Sequence, residues 1–388
     1  VPRFTDTQAA LAIAIAAKVP VLLTGLPGQG KTATINGIAE QYGLLLRTLV
    51  ASQRDPADLN GLPYVDPGTG SVHLYPQQWA KDLVDASGRV PGGTSSILFF
   101  DEISTAPPAL QAACLRILGE RVVGDLALPD DVAIVLAQNP PEFAADGWDL
   151  AAPLANRVVH LDWELPADYV ADGFARGFGQ VQVPVFEPAA VAQSQQRARI
   201  MVGSFVKHRP ELLASVAKTD AERAKPFASP RSWDFVSRLV GLADAAGATQ
   251  ATRNLLITGA VGSGPGLEFA TWLDNLDLPE PEWVLAHASE FVVPDRHDKV
   301  YAVVNSVLSA YLARPSVPRW MALGQVLRAV ADAGSKDLAV VAARTWAGDV
   351  ERATAGAAQI DAAVLQAFLP ILQEMGVFRA RPARRRAS

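Results

Sequence analysis

Cysteine occurs once in 388 residues, at Cys114, so no internal disulfide can form and a reducing, cytoplasmic setting is the expectation. Cys114 reads as a small packed helix residue, because no Cys-His spacing accompanies it. Histidine is scarce too: His73, His160, His208, His287 and His297 lack metal-ligand spacing. Asp295, His297 and Asp298 in "PDRHDK" could meet a metal, but the stretch reads better as a solvated helix start. Long apolar runs are missing. Ala9 to Ala17 lies between Gln8 and Lys18 and falls short of the roughly 18 to 20 residues a spanning helix needs, so no membrane span is expected. Positive charge is in the minority, 34 Lys and Arg against 40 Asp and Glu, which disfavours a nucleic-acid partner. A guanine-reading [NT]-K-x-D run is also lacking. The nearest candidate, "AKTD" at Ala217 to Asp220, has no side-chain amide at its first position.

What is present is a folded chain, 49% hydrophobic, long enough for two or three domains. Apolar runs at Val19 to Leu23, Leu44 to Val50, Ser96 to Phe100, Val132 to Ala137 and Val158 to Leu161 read as buried strands alternating with helices. That pattern predicts an α/β fold with a mostly parallel sheet whose strand tips carry the ligands. Two hairpins interrupt it, Leu62 to Pro76 and Arg121 to Asp131, expected to expose Tyr64, Val65, His73, Leu74, Val122, Val123 and Leu126. Past about Glu164 helical periodicity dominates, "GAVGSGPG" at Gly259 to Gly266 reads as a break or linker, and helices follow. The expected domains are residues 1–165, an αβα core; 166–258, a helical lid; 267–378, a helical C-terminal region; and 379–388, a basic tail. The tail, "RARPARRRAS", is low in hydrophobics, with docking to an acidic partner as its alternative role.

The chemistry concentrates in "GLPGQGKT", where Gly25, Gly30, Lys31 and Thr32 fit G-x-x-x-x-G-K-[ST] between a strand and a helix. Such a loop cradles phosphates with its backbone N–H groups, aided by the positive end of the helix dipole. Lys31 would meet the β and γ phosphates and Thr32 would hold Mg²⁺. The whole loop, Gly25, Leu26, Pro27, Gly28, Gln29, Gly30, Lys31, Thr32 and Ala33, is the candidate ATP site. "ILFFDEIS" adds Asp101 for the Mg²⁺ shell and Glu102 to orient or deprotonate water. Asn139 in "LAQNPP" could bond the γ-phosphate or the lytic water, or simply form a turn. Arg157 in "LANRV" suits charge stabilisation on a transferring phosphate, from its own subunit or a neighbour.

Together "GLPGQGKT", "ILFFDEIS", "LAQNP", "LANR" and "ASPRSW", in that order over Pro2 to Gly247, resemble the MoxR-like AAA+ ATPases of the helix-2-insert clade. The resemblance implies that Gly25 to Thr32 is Walker A, Asp101 and Glu102 are Walker B, and Asn139 is sensor 1. It implies an arginine finger at Arg157 facing the adjacent protomer and a sensor 2 at Arg231 reaching the nucleotide of its own chain. The "LANRV" context departs from the family's usual Asp-Arg-Phe type run. The two hairpins fall at the family's helix-2 insert and pre-sensor-1 hairpin. By the same resemblance the protein is expected to be a hexameric, Mg²⁺-dependent ATPase acting as a chaperone-like remodeller of a protein client. "LDLPEPEWVL" at Leu276 to Leu285 is similar to C-terminal regions of bacterial relatives encoded beside von Willebrand factor A-like proteins. A nucleotide-gated assembly module and a nucleic-acid motor are the alternatives.

Overall fold

In the computed structural model, the residues described are 4–90, 92–140, 143, 148, 150–178, 184–215, 219–349, 370 and 373. The expected basic tail, residues 379–388, lies outside them. Nine strands occur among the described residues: β1 (Val21–Thr24), β2 (Leu45–Val50), β3 (Leu62–Val65), β4 (Val72–Tyr75), β5 (Ser96–Asp101), β6 (Val122–Val123), β7 (Leu126–Ala127), β8 (Val132–Gln138) and β9 (Val159–Asp162). Five of them form one parallel sheet in the order β2-β5-β8-β1-β9. β5 and β8 read as unbroken apolar runs because both faces of the sheet are covered; Ile97 to Phe100 and Val132 to Ala137 are buried throughout. The protein is therefore α/β in its first part and helical after it.

Two compact units divide the chain, Val1–Arg199 with Glu211–Thr271, and Ile200–Pro210 with Trp272–Ser388. In the first, the helix Phe4–Ala17 is apolar nearly all round, Ala10 to Ile15 being buried, since it packs on both the sheet and the helices Pro230–Ala245 and Gln250–Val261. The second unit is built on the helices Pro281–Ala286, His297–Ala313, Val317–Asp332 and Lys336–Gly348. Its core holds Trp320 and Trp346 stacked at 4.4 Å, each indole N–H donating to the other's carbonyl oxygen at 3.0 and 2.8 Å. Of the two readings of "GAVGSGPG", the structure shows the break: Gly262, at φ 86°, separates the helices Gln250–Val261 and Ser263–Asp274. "PDRHDK" is a helix start, but not the solvated one expected: Asp298 is buried and bonded to Arg296 and the Trp272 indole.

The hairpins differ from expectation in what they expose. β3 pairs β4 and β6 pairs β7, both antiparallel, but the second turn docks onto the first hairpin. Asp125 N donates to Leu74 O at 3.0 Å and Leu74 N to the Asp125 carboxylate at 2.9 Å. Gly124, at φ 60°, sits so close that a Cβ would fall 2.4 Å from Leu74 O. Val123 is consequently fully buried and Leu74, Val122 and Leu126 are half-buried. The large apolar side chains that the hairpins expose are Leu62, Tyr64, Val65, Val72 and Tyr75.

Candidate functional site

The carboxyl ends of β1, β5 and β8 bring the predicted loop, the acidic pair and Asn139 to one edge of the sheet. Between β1 and the helix Lys31–Tyr42 the loop turns twice through positive φ, at Gly28 (77°) and Gly30 (69°), so the chain enters the helix with its first backbone N–H groups unpaired within it. Lys31, 8% exposed, donates from Nζ to Gly25 O, to Leu26 O at 3.1 Å and to Asn139 Oδ1 at 3.3 Å. Burial pushes the Lys31 ammonium below the ordinary lysine range, while the Asp101 carboxylate pulls the other way. Leu26, Pro27, Gly28, Gly30, Thr32 and Ala33 are exposed around it, and Gln29 is half-buried.

Thr32 Oγ1 donates to Asp101 Oδ2 at 3.0 Å, placing a hydroxyl and a carboxylate side by side at the start of the helix. The other Asp101 oxygen accepts from Glu102 N at 2.9 Å. Glu102 itself is left-handed, φ 57°, a conformation rare outside glycine that turns the chain sharply at the strand tip and separates the two carboxylates. Ser52, just past β2, donates from Oγ to Glu102 Oε2 at 3.0 Å. Nothing in the spacing of Ser52 singles it out in the sequence. No group of three or more His, Cys, Asp or Glu side chains suited to a metal occurs among the described residues. One hydroxyl and one carboxylate do fit a Mg²⁺ ion that takes its remaining oxygens from phosphates and water.

Arg157 and Arg231 lie elsewhere. Arg157 precedes β9, whose first residue pairs with the first residue of β1, so it sits at the amino ends of the strands. A cavity of about 700 Å³ opens there, lined among others by Lys18, Arg116, Arg121, Arg157, Arg231 and Arg238. Arg157 donates to Pro153 O at 2.8 Å but its buried Nε has no partner, and burial and then Arg231 lower its pKa. Arg231 thus lines the same cavity as Arg157. Asn156 anchors the segment that leads into Arg231. Its Nδ2 donates to Phe227 O at 3.1 Å and its Oδ1 accepts from Ser229 Oγ at 2.9 Å, fixing the capped start of the helix Pro230–Ala245 beside β9. Cys114 is wholly buried on the helix Pro108–Glu120, its thiol pushed up to about 12 by burial, and serves packing.

No family profile matches the sequence, and no curated protein does. Among solved structures, a candidate ATPase from Cytophaga hutchinsonii is similar at 16% identity and a TM-score of 0.36, over 61% of this chain and 74% of its own. No helix among the described residues is long and apolar enough to cross a membrane.

Proposed function

We propose that the chain is a Mg²⁺-dependent ATPase of the MoxR-like AAA+ kind, working as an oligomeric remodeller of a protein client. The observation that carries this reading is Lys31, a buried lysine at a helix start inside a loop of two left-handed glycines, with Thr32 bonded to Asp101 beside it. Gly25 to Ala33 would hold the phosphates of ATP, and Thr32 and Asp101 would hold Mg²⁺, which supplies charge neutralisation at the phosphates when bound. Glu102 would take a proton from water and Asn139 would orient that water. The guanidiniums of Arg157 and Arg231 belong to a second, cationic place that suits a phosphate brought by a neighbouring copy in a ring. The exposed face of β3 and β4 suits an apolar client segment, a von Willebrand factor A-like protein being one such client.

Two variants test the core of this reading. Lys31→Ala should abolish nucleotide binding, whereas Glu102→Gln should keep binding and lose roughly 10² to 10⁴ in turnover. Titration with a fluorescent nucleotide alongside phosphate release measures both, and near-normal turnover by Glu102→Gln removes that residue from the base role. A second reading, nucleotide-gated assembly with little turnover, draws on the bond from Ser52 that occupies Glu102 Oε2. Assembly driven equally by ATP and by the Glu102→Gln form, with turnover of the unaltered protein near zero, would favour it.

A further inference from the structure

Trp163 follows β9 directly, is fully buried, and meets the phosphate loop at both of its ends. Its backbone N donates to Thr24 O at 2.7 Å, carrying the β1–β9 pairing one residue past the strand. The indole Nε1 then donates to Gln29 O at 2.9 Å. At the other end of the loop, a Cβ on Gly25 would fall 2.2 Å from Trp163 O and 3.0 Å from Trp163 Cβ. Gly25 is not among the positive-φ glycines, so a close approach and not a turn demands glycine there. Phe4 meets the indole edge-on, rings 4.9 Å apart at 79°, and Tyr169 meets Phe4 at 4.8 Å, which keeps the indole from turning.

The consequence lies in one peptide plane. In a trans peptide the carbonyl and the following N–H point in opposite directions. Holding Gln29 O toward Trp163 therefore directs the Gly30 N–H away from it, to the side of the loop where Lys31 begins its helix. Lys31 Nζ is itself bonded to Gly25 O, and Gly25 is the residue pressed on Trp163. We propose that Trp163 is a positioning residue for polyphosphate binding, its indole N–H fixing the loop so that backbone donors face the phosphates before any ligand arrives. The inference rests on the reading of the loop as a phosphate cradle.

Calorimetric titration of the full chain with Mg·ADP tests it. Trp163→Phe keeps the aromatic packing and removes the donor, so the dissociation constant should rise roughly 2- to 13-fold, the worth of one net hydrogen bond. KM for ATP should rise by the same factor with kcat held within about twofold, the pattern of lost uniform binding. A residue that served the fold alone would lower the melting temperature and leave affinity per folded molecule unchanged; that result overturns the proposal. A second measurement needs no variant: in the ¹⁵N-labelled protein the Trp163 indole resonance should shift on adding Mg·ADP, while that of Trp320, bonded to Trp346 O, stays. A stationary Trp163 signal at saturating Mg·ADP overturns the proposal as well. Should the unaltered protein bind no Mg·ADP, the cradle reading and this inference fall together. Binding by it and by Trp163→Phe with equal affinity removes the inference alone.

Discussion

The two ends of the parallel sheet differ in how their charges are balanced. At the carboxyl ends, Lys31, Thr32, Asp101 and Asn139 satisfy one another, with the cation bonded to carbonyls and the acid to a hydroxyl. At the amino ends, Lys18, Arg116, Arg121, Arg157, Arg231 and Arg238 gather around one cavity, whose lining acids among the described residues are Glu120 and Asp130. Arg231 donates no hydrogen bond there among the described residues, and the Arg157 Nε is buried without a partner. A self-satisfied cluster needs nothing to be stable. An excess of guanidinium groups around a cavity is electrostatically costly unless an anion is brought to it. The difference teaches that one parallel sheet can carry a self-satisfied cluster at one end and a surplus of guanidinium groups at the other.

The largest expected effect breaks the comparison directly. If the cationic end serves a neighbour's nucleotide, Arg157→Ala should bind ATP within a few-fold of normal and lose as much as roughly 10³ to 10⁵ in hydrolysis. Mixing Lys31→Ala with Arg157→Ala should restore part of the activity, since some interfaces then pair an intact loop with an intact arginine. Arg231→Ala should behave the same way in that mixture, because it lines the same cavity as Arg157. No recovery by either, with mixed oligomers confirmed by mass measurement, would mean that the arginines act within their own chain or not at all.

A smaller effect sharpens how the cationic end is built. Asn156 is buried and bonds both Phe227 O and Ser229 Oγ, so Asn156→Ala removes two hydrogen bonds, each of those oxygens keeping Ser232 as a partner. Denaturant unfolding should show a loss of about 1 to 3 kcal/mol. Because the same bonds place the first turn of the helix Pro230–Ala245, turnover should fall while nucleotide affinity at the Lys31 end holds. Equal loss of both would show that the ends are not independent.

The carboxyl end was legible in the sequence because its chemistry needs fixed spacings: four positions of a loop, then residues at strand tips that a parallel sheet must align. The strands themselves were legible as continuous apolar runs. Local sequence says little about docking between distant segments, and that is where the reading diverged. Nothing in "ASPRSW" encodes the Asn156 clamp 73 residues away from Ser229. Val123 and Leu74 were expected at exposed tips because Gly124-Asp125 looks like any two-residue turn until it meets the Leu74 backbone. Trp163 gave no signal at all, since a tryptophan after a strand is ordinary until its indole meets Gln29.

The smallest expected effect concerns pH, where lysine and arginine separate the two ends once more. Burial lowers the Lys31 pKa from the ordinary lysine value, whereas an arginine remains charged across the working range even when burial lowers it, as at Arg157. Phosphate binding requires protonated Lys31, so the dissociation constant for Mg·ATP should climb on the alkaline side by at most about tenfold per pH unit, beginning below the pH at which an ordinary lysine titrates. Folding should move the other way. Between the lowered folded pKa and the unfolded one, the unfolded chain binds more protons than the native protein, so the Lys31 contribution to stability rises with pH in that window. Affinity falling while the free protein gains stability is a combination that general alkaline unfolding cannot produce. Arg157→Ala should leave this alkaline limb of binding where it was, because its guanidinium lies at the other end of the sheet. Titrations of the two proteins across the alkaline range, with melting curves at each pH, decide the matter. A limb that moves with Arg157→Ala would join the two ends into one site and end the comparison.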